Sequence, residues 1–557
     1  VVLSVWWIVS PTFGVGVTAL FATTSVARIA STNRWWQCPD APGAIPPRDA
    51  TLILVSASGK LPNVKAVTTE QIRALDQRAM AAGIPGKVLM DRAGLAVARR
   101  VADILSARGA RAALLLAGKG NNGGDAIVAA RHLAAMGCEP TLALFCRRDE
   151  LAGDSLAHFQ ELGSVPVLEL PSCEQLANVS AAAIVDGLLG TGVKGDVREP
   201  VASVVAFVNA QPAPVVAIDL PSGLDSDTGE VRGVCVRATV TVTMGLPKIG
   251  LLKPSATDWI GALEVADIGF PSEFIAEIPS SVELLTAADV KPLLPRVRRS
   301  AHKGERGHLL VIGGCEGYTG APVLCAAAAA RAGAGLVTLV VPRDVYAIVA
   351  ALCPPEVMPR PLDRLGALSE FDAVAIGPGL GQSTETQRAV LSWISSCPRP
   401  LVIDADGLNA LARNVSQLNT VSAPVVLTPH PGEMSRLCGK AVREVQARRW
   451  EMAQELARAR GVVVALKGAG TVVSDKSGRL WLNFTGNPGM AKGGVGDVLT
   501  GVIGALLAQR LSALDATRVG VFVHGRAGDV ARERCGETAM LASDLIASLG
   551  EAFLSVE

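Results

Sequence analysis

From residue 112 onward, short unbroken apolar runs recur along the chain, and nearly every one closes on glycine or aspartate before a helical segment begins. AALLLAG (112 to 118), TLALFC, VPVLEL, AAIVDGLL, VVAIDLPSG and ATVTVTMG form one series; HLLVIGG, LVTLVV, DAVAIG, LVIDAD, PVVLTP and VVVALKG form a second. A strand that is apolar on both faces has to be covered on both, which is the condition of a parallel sheet with helices in front and behind. The chain therefore reads as an α/β protein of two doubly wound, three-layer domains.

The stretch 271 to 301 reads as the junction between them, with Arg296, Arg298 and Arg299 as a solvated face. The expected division is an extension over 1–64, a first domain over 65–280 and a second over 285–557. A helix capped at Thr68 or Thr69 through EQIRALDQRAM and another through VLMDRAGLAVARRVADIL open the first domain. The extension differs from the rest: residues 1–27 carry no charge, and Trp6, Trp7, Trp35 and Trp36 account for four of the 8 tryptophans. Pro11, Gly14 and Gly16 interrupt its apolar run and no basic stretch precedes it, so a poorly ordered extension is expected ahead of a membrane anchor. Residues 37–63 read as a Pro-, Ala- and Ser-rich linker.

Composition narrows the function. Charges sum to 52 − 51 = +1, too little positive charge to track a nucleic-acid backbone, so nucleic acid is excluded as the expected partner. The 11 cysteines are scattered with no CxxC pair, which argues for free thiols in a reducing, cytoplasmic setting.

In open α/β sheets the ligand crevice lies at the carboxyl ends of the strands. In the first domain KGNNGGD ends one strand and opens a helix expected from Asp125 to Met136. Its backbone amides suit a phosphate, its glycines permit a ligand's close approach, and Asn121 and Asn122 offer carbonyls to a cation. A plain strand-to-helix turn explains the same residues. VDGLLGTGVKGD brings Asp186 and Gly190 to Asp196, IDLPSG brings Asp219 and Ser222, and TMGLPKIG brings Lys248. A carboxylate at the end of a buried strand is costly unless paired, so two of them with a lysine point to a site.

In the second domain GGVGD precedes an apolar helix, where glycine amides can hold an anion and Asp497 can take a proton from a hydroxyl. LKGAGTVVSD is a strand-turn-strand able to cover a nucleotide, GPGLG ends a strand, and TPHPGE sets His430 at another strand end. HGRAGD puts His524 and Asp529 on a helix. His132 and His158 read as ordinary helix residues, while His302 and His308 flank the domain's first strand without an assigned role.

KGNNGGDA, VDGLLGTG, AIDLPSG and GLPKIG, in that order, resemble the NAD(P)H-hydrate epimerases over about residues 65–280, a Rossmann-like domain. HKGERGHLLVIGG, GYTGAP, IGPGLG, DADGLNAL, LTPHPGE, LKGAGT and GNPGMAKGGVGD resemble the ribokinase-like ADP-dependent NAD(P)H-hydrate dehydratases over about 285–557. The first resemblance implies that Asn121, Asn122, Gly123, Gly124, Asp125, Gly190, Thr191, Gly192, Val193, Lys194, Gly195, Asp196 and Asp219 contact the hydrated dinucleotide. It also implies that Asn122, Asp186 and Ser222 hold K+, with Asp219 and Lys248 as the acid–base candidates. The second implies that Ala321, Gly379, His430 and Asp497 contact the S hydrate, and that Lys467, Gly468, Ala469, Gly470, Thr471 and Gly496 contact the nucleotide. ADP as phosphoryl donor and Mg2+ follow from the same resemblance. Ala126 and Lys492 depart from the family pattern; Lys492 is expected to steady phosphate or face solvent. The expected protein repairs hydrated NADH and NADPH, takes only small molecules as substrates and assembles as a homo-oligomer. The alternative is a small-molecule kinase fused to a non-catalytic dinucleotide-binding module.

Overall fold

The computed structural model describes residues 64–192, 195–280 and 282–557. The N-terminal extension, the linker reading, Val193 and Lys194 lie outside the described residues. Strand β1 (Val64–Lys65) is followed by β2 (Ala112–Ala117), β3 (Glu139–Leu144), β4 (Val167–Glu169), β5 (Ala183–Gly187), β6 (Val215–Ile218), β7 (Val240–Met244) and β8 (Ala262–Ala266). Strands β2 to β8 form a parallel sheet in the order β4-β3-β2-β5-β6-β7-β8. The chain reverses its direction of travel across the sheet between β2 and β5, so the crevice belongs at their carboxyl ends.

The continuous apolar character of β2 has the expected cause. Ala113, Leu115 and Ala117 enter one core with helices Gly86–Ala107 and Asn121–Ala135, while Leu114 and Leu116 enter the other with Val204, Val205 and Val208. The first helix, Thr69–Ala81, starts at Thr68, whose hydroxyl and the Gln71 side chain form a reciprocal capping box.

The second sheet comprises β9 (Val282–Leu284), β10 (His308–Ile312), β11 (Leu336–Val341), β12 (Val357–Pro361), β13 (Ala373–Ile376), β14 (Leu401–Ile403), β15 (Val425–Leu427), β16 (Val463–Leu466), β17 (Thr471–Ser474) and β18 (Leu480–Asn483), together with β1. Its order is β1-β9-β18-β17-β16-β15-β14-β13-β10-β11-β12. Strands β10 to β16 are parallel, and β17 and β18 append antiparallel.

Two features differ from expectation. The junction stretch is not simply a connector, because β9 lies within it and pairs with β18. The segment that introduces the first domain, β1, pairs with β9 and so belongs to the second sheet. The three arginines 296, 298 and 299 are exposed as expected, with Arg298 3.1 Å from Glu305. Among the described residues the ten cysteines are all free thiols, and no helix is long and apolar enough to cross a membrane.

Candidate functional site

The first crevice gathers four charged side chains. Asp219 follows β6 with φ at +66°, a left-handed backbone that a residue with a Cβ adopts only under constraint. Its carboxylate accepts from Thr243 Oγ1 and the Met244 amide, both at 3.1 Å, and from Lys248 Nζ at short range. Lys248 is 1% exposed, and its ammonium also donates to Thr243 Oγ1 and Met244 O at 3.2 Å. Asp125, 7% exposed, is pushed well above the carboxylate range by burial and by the Asp219 charge, with Lys248 opposing. Asp76 is the fourth member and carried no sequence signal beyond an acidic position on a helix. Burial and Asp219 raise its pKa to about 6 against the pull of Lys248.

Beside this cluster lies a second polar group. Asp186 in β5 is fully buried; its oxygens accept from Ser222 Oγ at 2.6 Å, the Ser222 amide at 2.7 Å and the Leu188 amide at 3.3 Å. Asn122 Nδ2 donates to Ile218 O at 2.7 Å and Leu189 O at 3.2 Å. Asn122, Asp186 and Ser222 therefore converge on the 187–190 turn, whereas Asn121 is exposed.

The Asn-Gly motif is not a loop ahead of a helix at Asp125. The helix begins at Asn121 with Gly120 as an uncapped N-cap, so the asparagines and glycines are its first turn. The glycines there also meet a packing requirement. A Cβ on Gly123 would stand 1.7 Å from Gly118 O, and one on Gly124 would stand 2.4 Å from Ser155 Oγ, so both are demanded by packing. Ala126 packs where a Cβ on Gly187 would come within 2.8 Å of it. Gly190 and Thr191 are half-buried beside Asn122 and Arg73, while Gly192, Gly195 and Asp196 are exposed.

In the second domain the helix Val495–Ala508 starts after Gly494, which adopts φ +89° and has no side-chain cap. Asp497 lies in its first turn, its pKa raised to about 7 by burial and by the Asp404 charge, with Lys467 opposing. Lys467 directly follows β16 and bridges Asp404 Oδ1 at 2.6 Å and Glu433 Oε2 at 3.8 Å. Burial disfavours its charge, yet the two carboxylates hold its pKa above the usual lysine value. Asp404 is 1% exposed and also accepts from Thr500 Oγ1 at 2.6 Å. Burial raises the Glu433 carboxyl, and Asp404 adds to the effect. A Cβ on Gly496 would stand 3.3 Å from Lys467 Nζ. Asp404, Glu433 and Thr500 had no assigned role in the sequence, although DADGLNAL and TPHPGE contain the two carboxylates.

His430 is half-exposed and acts first as a cap: its Nδ1 accepts from the Gly432 amide at 2.9 Å and the Glu433 amide at 3.3 Å. Gly379, at φ +65°, sits where a Cβ would meet Tyr318 O at 2.6 Å and the Ala321 methyl at 3.2 Å, so Ala321 and Gly379 are neighbours. The 467–471 turn is held from beneath by buried Arg449, whose guanidinium donates to Leu466 O, Lys467 O and Gly470 O at 3.1 to 3.4 Å. Ala469 is exposed on that turn, and Thr471 Oγ1 closes it on Gly468 O at 3.2 Å.

Lys492 is exposed, as one of the two expectations had it, and its ammonium donates to Thr538 O at 2.6 Å and Met540 O at 2.8 Å. His524 and Asp529 share the helix Ala513–Cys535 and set neighbouring backbone: His524 Nε2 bonds Val495 O at 2.9 Å, and Asp529 accepts from Gly486 N and Asn487 Nδ2. His308 bonds Thr338 and packs edge-on against Phe371, while His302 is exposed near Glu305. His132 bonds Asp91, and His158 bonds Lys87 O.

Two family models match this chain. One, described as NAD(P)H-hydrate dehydratase, covers residues 309–550, and the other, YjeF-related protein N-terminus, covers 86–250. A bifunctional NAD(P)H-hydrate repair enzyme from Moorella thermoacetica is 41% identical over 88% of this chain and 97% of its own length. Its counterpart in Coxiella burnetii is 41% identical over 86% of this chain and 97% of its own length. An ADP/ATP-dependent NAD(P)H-hydrate dehydratase from Bacillus subtilis, co-crystallised with ATP and Mg2+, is 32% identical over 49% of this chain and 98% of its own, with a TM-score of 0.45.

Proposed function

The chain belongs to the bifunctional NAD(P)H-hydrate repair enzymes, and on that premise we propose how its two crevices divide the work. An epimerase and a dehydratase act here on hydrated NAD(P)H. In our reading residues 65–280 are the epimerase domain and 285–557 the dehydratase domain, completed by β1 and β9.

The epimerase site is the Asp219–Lys248 pair. The hydrate carries a hydroxyl on the ring carbon beside the nicotinamide nitrogen. A proton given to that hydroxyl lets it leave as water while the nitrogen lone pair stabilises the flattened carbon. Water returning on the opposite face gives the proton back, so no atom is gained or lost. Asn121 to Asp125 and Gly190 to Asp196 hold the dinucleotide, with phosphate at the free amides of the Asn121 helix. Asn122, Asp186 and Ser222 suit K+: Asp186 is fully buried, its hydrogen-bond partners are neutral donors, and the surrounding groups are oxygen-rich. The ion would balance that carboxylate and fix the 187–190 turn.

In the dehydratase site Ala321, Gly379, His430 and Asp497 meet the S hydrate, and Lys467 to Thr471 with Gly496 meet ADP. Asp497 takes the hydroxyl proton as the hydroxyl oxygen attacks the terminal phosphorus, and AMP leaves with the bridging oxygen. Phosphate then departs with the carbon–oxygen electron pair, and loss of a proton from the neighbouring ring carbon forms the double bond of NAD(P)H. Mg2+ would neutralise phosphate charge, held by Glu433, whose carboxylate stands 3.8 Å from Lys467 beside the Lys467–Asp404 pair. Among the described residues no group of three or more such ligands forms a preformed cage, consistent with a cation that arrives with its nucleotide.

The observation that carries this reading is the helix start at Gly494 to Asp497 facing the buried Lys467–Asp404 pair. The test adds ADP, ATP or neither, with Mg2+, to mixed R and S hydrates and follows the near-ultraviolet absorbance of restored NADH. Full conversion is expected. Conversion of the S fraction alone would remove the epimerase assignment, and none would favour the kinase reading. A cytoplasmic homo-oligomer remains our expectation, checked by sedimentation of the purified chain.

A further inference from the structure

The helix Thr69–Ala81 is placed as a roof over the first crevice. Its lead-in is stitched to the Lys248 segment, since the Val67 amide donates to Pro247 O at 3.0 Å and the Ile249 amide to Val67 O at 2.9 Å. Thr69 bonds Ser226 Oγ at 2.6 Å, and Arg73 donates to Thr191 O at 3.1 Å. Asp76 stands three residues after Arg73 and four after buried Ile72, so it projects from the flank that faces the crevice.

The charged groups facing Asp76 are Lys248 and Asp219 from the sheet ends and Asp125 from the facing helix; Arg73, three residues earlier on its own helix, is turned to Thr191 O. They differ in access to water. Lys248, Asp219 and Asp125 are 1%, 8% and 7% exposed, whereas Asp76 is half-buried. Among the described residues no hydrogen bond engages its carboxylate.

We infer that Asp76 is a positioning residue of the epimerase, relaying protons between water and the buried Lys248–Asp219 pair. The inference rests on the assignment of that pair to the epimerase. The relay sets the protonation state of the pair between turnovers: ionised Asp76 takes an excess proton from the pair and passes it to water, and a pair short of its proton is reprotonated along the same route, while the proton lent within a turnover is the one that returning water gives back. A raised ionisation near pH 6 suits the task, because the group exchanges protons readily near neutrality.

Asp76→Asn in the full chain should lower the epimerisation rate about tenfold to a hundredfold, while ADP-dependent consumption of S hydrate stays unchanged in the same sample. The wild-type epimerase rate should fall as pH drops through about 6, where Asp76 takes up its proton. The Asn variant should lack that limb, and Asp76→Glu should show one displaced along the pH axis. An intact limb in the Asn variant overturns the relay. If that variant fails to fold, the Glu variant decides: an acid limb identical in position to wild type overturns the inference, and a displaced one supports it. Asp219→Asn, run in parallel, separates the two claims. Full epimerase activity in Asp219→Asn overturns the underlying assignment and the relay with it; lost activity there beside unaltered Asp76→Asn overturns the relay alone.

Discussion

Replacing Lys467 by Met keeps the length and apolar stem of the side chain and removes only the charge that three carboxylates share. Lys467 Nζ lies 2.6 Å from Asp404 and 3.8 Å from Glu433, and its charge opposes the raised ionisation of Asp497. Breaking a buried pair by removing one partner costs about 3–5 kcal/mol. Thr500 still donates to Asp404 at 2.6 Å, and the lysine side chain is 19% exposed, so the lower end applies. At roughly 2–4 °C per kcal/mol for a domain of this size, about 3 kcal/mol lowers the unfolding temperature by roughly 6–12 °C. The loss depends on pH with a definite sign. Asp497 has a folded pKa of about 7, above its ordinary 3.8. Its proton therefore favours the folded state fully below the ordinary value, and that stability is lost as pH rises through 7. Without Lys467 the carboxylates repel more strongly once ionised, so the variant should be hurt most above pH 7 and least near pH 4. Thermal unfolding at pH 5 and pH 8 measures this, and Asp404→Asn in the same background should recover much of the loss. A drop below 1 °C, or an equal drop at both pH values, would refute the cluster as the source of the stability.

Asp497→Asn should abolish nucleotide-dependent repair with nucleotide affinity nearly intact, measured by turnover and by equilibrium binding of ADP, because the Lys467 turn is untouched. Replacing K+ by tetramethylammonium should lower the unfolding temperature, and Asp186→Asn should remove that dependence, since the substitution takes away the buried charge. A dehydratase fragment starting at residue 285 should unfold at lower temperature than one starting at 280, because it lacks buried Val282 and Leu284 of β9; calorimetry of the two fragments checks it.

The parallel strands were legible because burial on both faces leaves an unbroken apolar run, as in AALLLA and LVTLVV. Strands that lack that signature escaped: β9 is three residues with Glu283 at its centre, and β12 is interrupted by two prolines. The Asn121 helix start was misplaced because Asn and Gly are poor helix formers, and here the packing of Gly123 against Gly118 overrides propensity. Asp219, Lys248, Asp186 and Asp497 were visible as polar groups at the ends of apolar runs. Asp76 was not, since an aspartate in an amphipathic helix looks like any solvated residue until the roof over the crevice is seen. Asp404 and Glu433 likewise needed the third dimension, which brings the end of β14 and the first turn of the helix Pro431–Cys438 to one lysine.

The seam between the domains bears on why the two activities share a chain. Leu220, Leu224, Leu251, Leu252, Ile260 and Leu263 of the first domain belong to the same buried cluster as Trp450, Leu466, Val472 and Leu482 of the second. An apolar layer of this kind costs free energy to expose, so the domains are not loosely tethered neighbours. Lys253, five residues beyond Lys248, lies 4.0 Å from the Trp450 ring centroid and 3.4 Å from Glu451. Trp450 is next in sequence to Arg449, which holds the carbonyls of the 467–470 turn. The segment that supplies Lys248 thus packs against the helix that supports the 467–471 turn. With β1 entering the second sheet before the first domain begins, neither half can be drawn on one side of a single cut.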